Sequence, residues 1–422
     1  MKYTSFAIAL IFFGYLNGVQ GKTYYVDVNA ASGGNGNSWK RAFNNLEDAL
    51  TAVKNGKGSS GDQIWIAKGT YKPTSPTQPN LATFNLPGNV LILGGFKGTE
   101  SSVLERGICD PNKTILSGDL LDNDGANIKS DNAYHVLTAD NVQNVLLNCF
   151  SVKNGHAAGT DLGQVSGPPD RRLVSIDYTN AAGAGLLVRH QSNITLSQVN
   201  FSYNSVDSSQ ATIRTNPALG NPAGASGGAA IAAIDENTTV TVIGSSFENN
   251  TCGGFGCNGG ALNAMLESSF KVFLSQFKNN SADRNGGAIR GKDAHDLEVY
   301  ASSFENNIIT GGSIGDESGG AIGAINSNIK VESSYFKQNA SSFTAGGGAI
   351  FFHSTFDDSE PYVLNVGNST FENNSGGYIG GGAINISANN INPATKAVIS
   401  NNTLSNNVAI GVGGAIYADI VP

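Results

Sequence analysis

An all-β chain wound as a right-handed parallel β-helix, with a short helix closing its N-terminal end, is the fold class this sequence predicts. Three observations carry that reading. Gly accounts for 54 of 422 residues, well above the ~7% of ordinary proteins. Charged residues make up 14%, against the usual ~25%. Finally, a two-part phrase, Phe-x-x-Asn and then Gly-Gly-Ala-(Ile/Leu), recurs through the second half of the chain. The composition excludes a long coiled coil, which needs about half Ala, Glu, Lys, Leu and Arg. Hydrophobic content of 40% at low charge excludes disorder. A formal charge of −8, without a Lys/Arg run longer than two residues, excludes a basic nucleic-acid binder.

The elements follow in order. Lys2 precedes an apolar run from Phe6 to Leu16 and a stretch ending at Gly21, the layout of a secretory signal peptide over residues 1–21. The alternative is a buried N-terminal strand. The run is too short to cross a bilayer, which needs ~20 apolar residues. The expectation is a secreted, extracellular or cell-surface protein with no transmembrane segment in its mature chain. Residues 22–135 read as a cap and entrance coils. Asn44 or Asn45 can cap a helix in which Leu46, Ala49, Leu50 and Val53 share one face and which ends near Gly56. A strand, Gln63-Ile-Trp-Ile-Ala, comes next.

Residues 136–422 read as β-helix repeats, incomplete at the C-terminus. The aromatic position is Phe201, Phe247, Phe277, Phe304, Phe336 and Phe371, with Leu404 last. Its Asn partners are Asn204, Asn250, Asn280, Asn307, Asn339, Asn374 and Asn407. Gly-Gly pairs begin at Gly227, Gly259, Gly286, Gly319, Gly347, Gly381 and Gly413, 27 to 34 residues apart. A degenerate copy runs from Phe150 and Asn154 to Gly183-Ala-Gly-Leu. Such a period means a solenoid, propeller or array. The intervening runs, such as Thr239-Val-Thr-Val-Ile and Leu297-Glu-Val-Tyr, have strand length and β-branched or alternating character. The absence of an amphipathic helical pattern within a repeat leaves the parallel β-helix. Phe is expected to stack inside, Gly-Gly to supply positive φ at a corner, and Asn both to turn the chain and to form an amide ladder.

Phe-x-x-Asn paired with Gly-Gly-Ala-Ile resembles the repeat of the chlamydial polymorphic outer membrane proteins, over about residues 201–416. The N-terminal segments Tyr24-Tyr-Val-Asp, Ser38-Trp-Lys-Arg-Ala-Phe and Leu93-Gly-Gly-Phe-Lys-Gly-Thr-Glu are similar to the start of secreted bacterial β-helix proteins of the pectin-lyase-like superfamily. The resemblance implies a surface-exposed, adhesive β-helix. Candidate partners are glycans, cell-surface proteins or other copies of the chain.

The four cysteines fit an oxidising compartment. Cys252 with Cys257 and Cys109 with Cys149 is one of three possible connectivities, and a zinc site is the alternative. No cofactor or metal is expected. Asp122-Asn-Asp-Gly has calcium-loop character but lacks the remaining ligands, and reads first as a turn. His135, His156 and His190 lie scattered. Insertions at 155–182 and 205–226 are the longest between an Asn and a Gly-Gly, and solenoids bind partners through such loops; tolerated insertion is the bland alternative. Charge concentrates at Asp283, Arg284, Arg290, Lys292, Asp293, His295 and Asp296. Lys292, Asp293 and His295 are the catalytic candidates if the protein is a polysaccharide lyase or glycoside hydrolase, with His353 two coils from Lys292. A solvated turn is the simpler reading of that cluster.

Overall fold

The computed structural model describes residues 21–56, 61–75, 78–158, 165–166, 175–176, 181–209, 226–254, 256–311, 317–341, 345–354, 361–389 and 394–421. The signal-peptide run, the Pro-rich insertion motifs at 167–172 and 216–222, and the Asp357-Asp358 pair lie outside those residues.

Each turn of the chain passes through the same stations, so residues a full turn apart come to lie side by side. Sheet 1 has eleven parallel strands, from Thr23–Val26 to Lys396–Ser400. Sheet 2 has ten, from Gly69–Tyr71 to Thr403–Ser405, and contains the Phe positions. Sheet 3 also has ten, from Phe84–Asn85 to Ile416–Val421, and follows the Gly-Gly pairs. A repeat runs from sheet 3 through sheet 1 to sheet 2, as in Ile289–Lys292, Asp296–Tyr300 and Ser303–Glu305. Right-handed crossovers are the rule for parallel strands, and the architecture is a right-handed parallel β-helix.

The interior is built from columns of like residues. Phe247, Phe277, Phe304, Phe336 and Phe371 stack nearly parallel with centroids 4.7 Å apart, and Phe201 joins at 5.4 Å. That is the spacing of adjacent strands, so the rings follow the backbone pairing. Beside them runs the Asn ladder. Asn307 Oδ1 accepts both the backbone N–H (3.1 Å) and the side-chain amide (2.9 Å) of Asn280, while Asn307 Nδ2 donates to the Phe277 carbonyl at 3.0 Å. The pattern repeats from Asn204 to Asn407. A third column, not anticipated from the sequence, lines the corner between sheets 1 and 2. The N–H groups of Ser245, Ser275, Ser302 and Ser334 each donate to the hydroxyl one coil on, at 3.0–3.2 Å. Its signal was the Ser two residues before each Phe from Phe247 to Phe371.

Three expectations about the repeat need correcting. In the degenerate copy, Phe150 and Asn154 are out of step. Val152 pairs with Phe201, and the Gly155 N–H, not an Asn, donates to Asn204 Oδ1 at 3.0 Å; Phe150 instead fills the core at the preceding corner. The two jobs assigned to one Asn are split between neighbours. The left-handed residue is the one before the ladder position, as at Asn279 (φ 54°) and Asn306 (φ 54°), which frees the ladder Asn to turn its amide inward. Lastly, Gly-Gly supplies the expected positive φ at four of the seven pairs, through Gly228, Gly259, Gly286 and Gly413 (φ 65–66°), and at the others serves only to admit backbone. Gly286 has φ 65°, but Gly319 is not in the left-handed region, and a Cβ there would lie 1.9 Å from the Ile322 carbonyl oxygen. The first pair is also offset, because Gly228 rather than Gly227 aligns with Gly259.

The N-terminal helix, α1 (Leu46–Asn55), forms as expected. Asn45 Oδ1 accepts the Asp48 N–H at 2.8 Å, Gly56 ends it, and Leu46, Ala49, Leu50 and Val53 are buried. Those side chains join the apolar cluster that runs from Val26 to Ile386. Both disulfides, Cys109–Cys149 and Cys252–Cys257, are present, and no cysteine is free. Among the described residues no helix is long and apolar enough to cross a membrane.

Candidate functional site

The insertions leave the rod at one edge. After the Asn corner the chain makes a two- or three-residue strand, and eight of these pair in parallel as sheet 4, from His156–Ala157 to Val408–Ala409. These strands are too short to be read from their residues. Their inward side chains, Ala157, Val206, Cys252, Ala282 and Ile309, form a second apolar column. His156–Ala157 pairs with Ser205–Val206, and the chain returns at Ala182 and Gly227, which also pair. The two longest insertions therefore depart from and rejoin neighbouring coils in register. Within the first, Val165–Ser166 and Ser175–Ile176 form an antiparallel hairpin.

Sheet 3 lies next along the chain, and its outer face is rich in buried polar groups. Alternation turns Ile289 inward and Arg290 outward. Asn263, Arg290, Gly323, Phe351 and Asn385 form one outer column, and all but Gly323 are large or polar residues with almost no exposure. Arg290 Nη1 donates to Asn263 Oδ1 at 3.4 Å. The Asn285 amide occupies the space over Gly323, where a Cβ would lie 1.5 Å from its Oδ1. The next outer column is Met265, Lys292, Ile325 and His353. Lys292 and His353 thus stand two coils apart, as the motif spacing predicts. Burial pushes the His353 imidazole below its usual pKa.

Lys292, Asp293 and His295 are distributed around a tight corner. Lys292 ends its sheet 3 strand. Asp293 takes φ 49°, donates its N–H to the Ile325 carbonyl at 3.0 Å, and accepts from Asn326 Nδ2 at 3.4 Å. Ala294 then turns into the core. His295 is exposed and bonds through Nδ1 to its neighbour Asp296 at 2.8 Å. The rest of the charged run is spread as widely: Asp283 holds the Gly256 N–H at 3.0 Å on the insertion edge. Asp293 and His295 thus lie on opposite sides of the buried Ala294.

Sequence reasoning missed a cluster that the same corner makes three coils earlier. Arg189 pairs with Asp140 at 2.8 Å, and His190 Nδ1 meets Asp140 Oδ1 at 2.6 Å, with its Nε2 3.6 Å from Asp235. Burial works to raise the Asp140 pKa, but hydrogen bonds from His190 and Arg189 and their charge hold it below the usual carboxylate range. Burial instead pushes Asp235 up. Arg189 shares its column with Asp140, so the signal was a shared position after each sheet 3 strand, obscured by the insertions between them. Among the described residues no three His, Cys, Asp or Glu side chains converge to hold a metal by themselves.

Against known proteins, residues 275–292 and 398–419 match the Chlamydia polymorphic membrane protein repeat. No curated protein sequence matches the chain. Solved structures that resemble it include PfbA, a surface adhesin of Streptococcus pneumoniae, at 12% identity and TM-score 0.36, covering 93% of each chain. Others are DFA-IIIase of Arthrobacter chlorophenolicus without its lid, at 12% identity and TM-score 0.36, covering 94% of this chain and 92% of that one, and a rhamnogalacturonan lyase, at 12% identity and TM-score 0.31, covering 90% and 87%. Two segments of the chain thus match the Chlamydia polymorphic membrane protein repeat, and both lie within a right-handed parallel β-helix.

Proposed function

We propose that the protein is a secreted or cell-surface β-helix scaffold that binds glycans, cell-surface proteins or other copies of itself through loops on one edge. In this reading residues 22–135 cap and lead into the rod, and residues 136–422 form its repeating shaft. The observation that carries it is the register of the two long insertions. They leave from paired strands and return at paired residues, so the roots of the two segments lie side by side on neighbouring coils. Loops so placed are where scaffolds bind. The repeat match to a membrane-protein family supports the cell-surface placement.

A second reading, a polysaccharide lyase or hydrolase, has its own support in the buried Arg290 and His353 on the outer face of sheet 3, two and four coils beyond the strand that follows the second insertion. One set of variants separates the two. Shortening both insertions, over 159–180 and 210–225, should abolish binding to glycan arrays and cell surfaces while leaving the fold intact. If binding persists, the edge reading is wrong. Release of unsaturated or reducing ends from polysaccharide, lost on substituting Lys292, Asp293 and His295 by Ala, would establish the enzyme instead.

A further inference from the structure

The first strand of the rod starts at a buried carboxylate. Sheet 1 opens with Thr23–Val26, which pairs in parallel with Asp62–Ala67, Thr23 beside Gln63 and Val26 beside Ile66. Just before that pairing, the Lys22 N–H donates to Asp62 Oδ1 at 2.8 Å, and the Lys22 carbonyl accepts the Gln63 N–H at 2.8 Å. Asp62 is 2% exposed. Among the described residues no Lys, Arg or His side chain pairs with it. Withdrawing a carboxylate from water on a single neutral hydrogen bond is costly, and buried charges are as a rule paired. The sequence can supply the missing charge at the Lys22 nitrogen itself. Val19-Gln20-Gly21 places a small residue at the end of the signal-peptide pattern. Hydrolysis of the Gly21–Lys22 peptide bond leaves the water's oxygen on the Gly21 carboxylate and its proton on the Lys22 nitrogen. That nitrogen, a neutral amide donor in the uncut chain, becomes an α-amine, which with an ordinary pKa of about 7.7–8.0 is mostly protonated at neutral pH.

We propose that cleavage after Gly21 completes the N-terminal end of the rod: the new α-ammonium of Lys22 pairs with the buried Asp62 carboxylate and fastens the first strand to the second. The donor and acceptor already stand at hydrogen-bond distance, so the pair needs no rearrangement. It replaces a neutral donor by a charged one, and charge-assisted hydrogen bonds are roughly twice as strong. Its place in the fold gives it a consequence. Thr23–Val26 is the outermost strand of sheet 1, and α1 packs against both it and Asp62–Ala67. Coils of a solenoid are held only by their neighbours, so an outermost strand is the first to open. The processed chain is therefore closed more firmly at this end than its precursor. This inference rests on residues 1–21 being a signal peptide, as the secreted reading above has it.

The test compares two chains made without export, by tag removal in vitro, both running to Pro422. One begins at Lys22; the other begins at Gln20, which keeps the Lys22 nitrogen a neutral amide. Amide exchange over residues 23–28 should be at least about tenfold slower in the Lys22 chain, while exchange over the Asn ladder is the same in both. In Asp62→Asn, which keeps an acceptor for the Lys22 N–H, the two chains should exchange alike. Equal exchange in the unsubstituted chains, or an undiminished difference in Asp62→Asn, would overturn the pair; the first comparison needs no substitution to fold. Separately, the N-terminus of the exported full-length protein should read Lys22-Thr-Tyr-Tyr. Any other start would overturn the signal-peptide reading, and the processing step with it, whichever way the exchange comes out.

Discussion

The entrance coils and the repeats build the same rod by different means. From Phe201 to Phe371 the inside is specified by identical residues one above another: Phe on Phe, Asn on Asn, Ser on Ser. In the entrance coils the Phe column is filled by Tyr71, Leu116 and Val152, paired in the same register but unlike in shape. There the support comes from outside as well. Trp65, Leu91, Leu93 and Phe96 form an apolar layer on the outer face of sheet 1, with Trp65 and Phe96 stacked at 4.6 Å and Tyr25 and Trp39 against them. Trp39 donates its indole N–H to the Glu100 carbonyl at 2.9 Å. Where columns of like residues are absent, packing on both sides of the sheet stands in for them.

That contrast can be broken deliberately. Asn307→Ala removes the acceptor for two Asn280 donors and the donor to Phe277, all buried, and should cost about 3–6 kcal/mol in denaturant unfolding. Asn154→Ala, at the residue that only looks equivalent, should cost about 1 kcal/mol, chiefly for placing Ala at φ 61°. Equal costs would show that the ladder adds nothing beyond turn geometry.

The disulfides divide the same way. Cys109–Cys149 closes 40 residues of the entrance coils, whereas Cys252–Cys257 closes 5 within the repeats. Paired Ser substitutions should cost about 4 and about 2 kcal/mol respectively, a difference visible in Tm. The reverse order would mean that the sheet 4 column leans on Cys252 more heavily than its neighbours imply.

The smallest effect is on pH dependence. The His353 pKa is lowered by burial, and that of His156 by burial and by the nearby Lys129 charge. A His with a depressed folded pKa favours the folded state while neutral. Its contribution is present above the unfolded value of about 6.5 and is lost as pH falls through that value toward the folded one. Tm should therefore decline from about pH 6.5 downward, and His353→Gln should flatten that decline. A variant whose profile still parallels the wild type would remove His353 from the account.

How much of this was legible follows from the same contrast. The repeats were readable because columns of identical residues write a period into the sequence. The entrance coils, lacking such columns, showed only a helix cap and an apolar strand. Val152 stood in for Phe and Gly155 for Asn, so the degenerate copy was read one or two residues out of step. Sheet 4 escaped notice because a two-residue strand such as Ser281–Ala282 carries no pattern of its own. The Asp140–Arg189–His190–Asp235 cluster escaped because its members are 45–50 residues apart, across insertions that stretch the period. Lys292, Asp293 and His295 were legible as candidates because they are close in sequence, and the buried Ala294 then separates Asp293 from the exposed His295.

Amide hydrogen exchange tests most directly whether the ladders hold the shaft that presents the edge loops. Peptides covering 246–254, 276–284 and 303–311 contain the buried Asn250, Asn280 and Asn307, and should be the slowest to exchange, well behind the largely exposed loop at 121–131. Exchange at those ladder peptides as fast as in that loop would contradict the account.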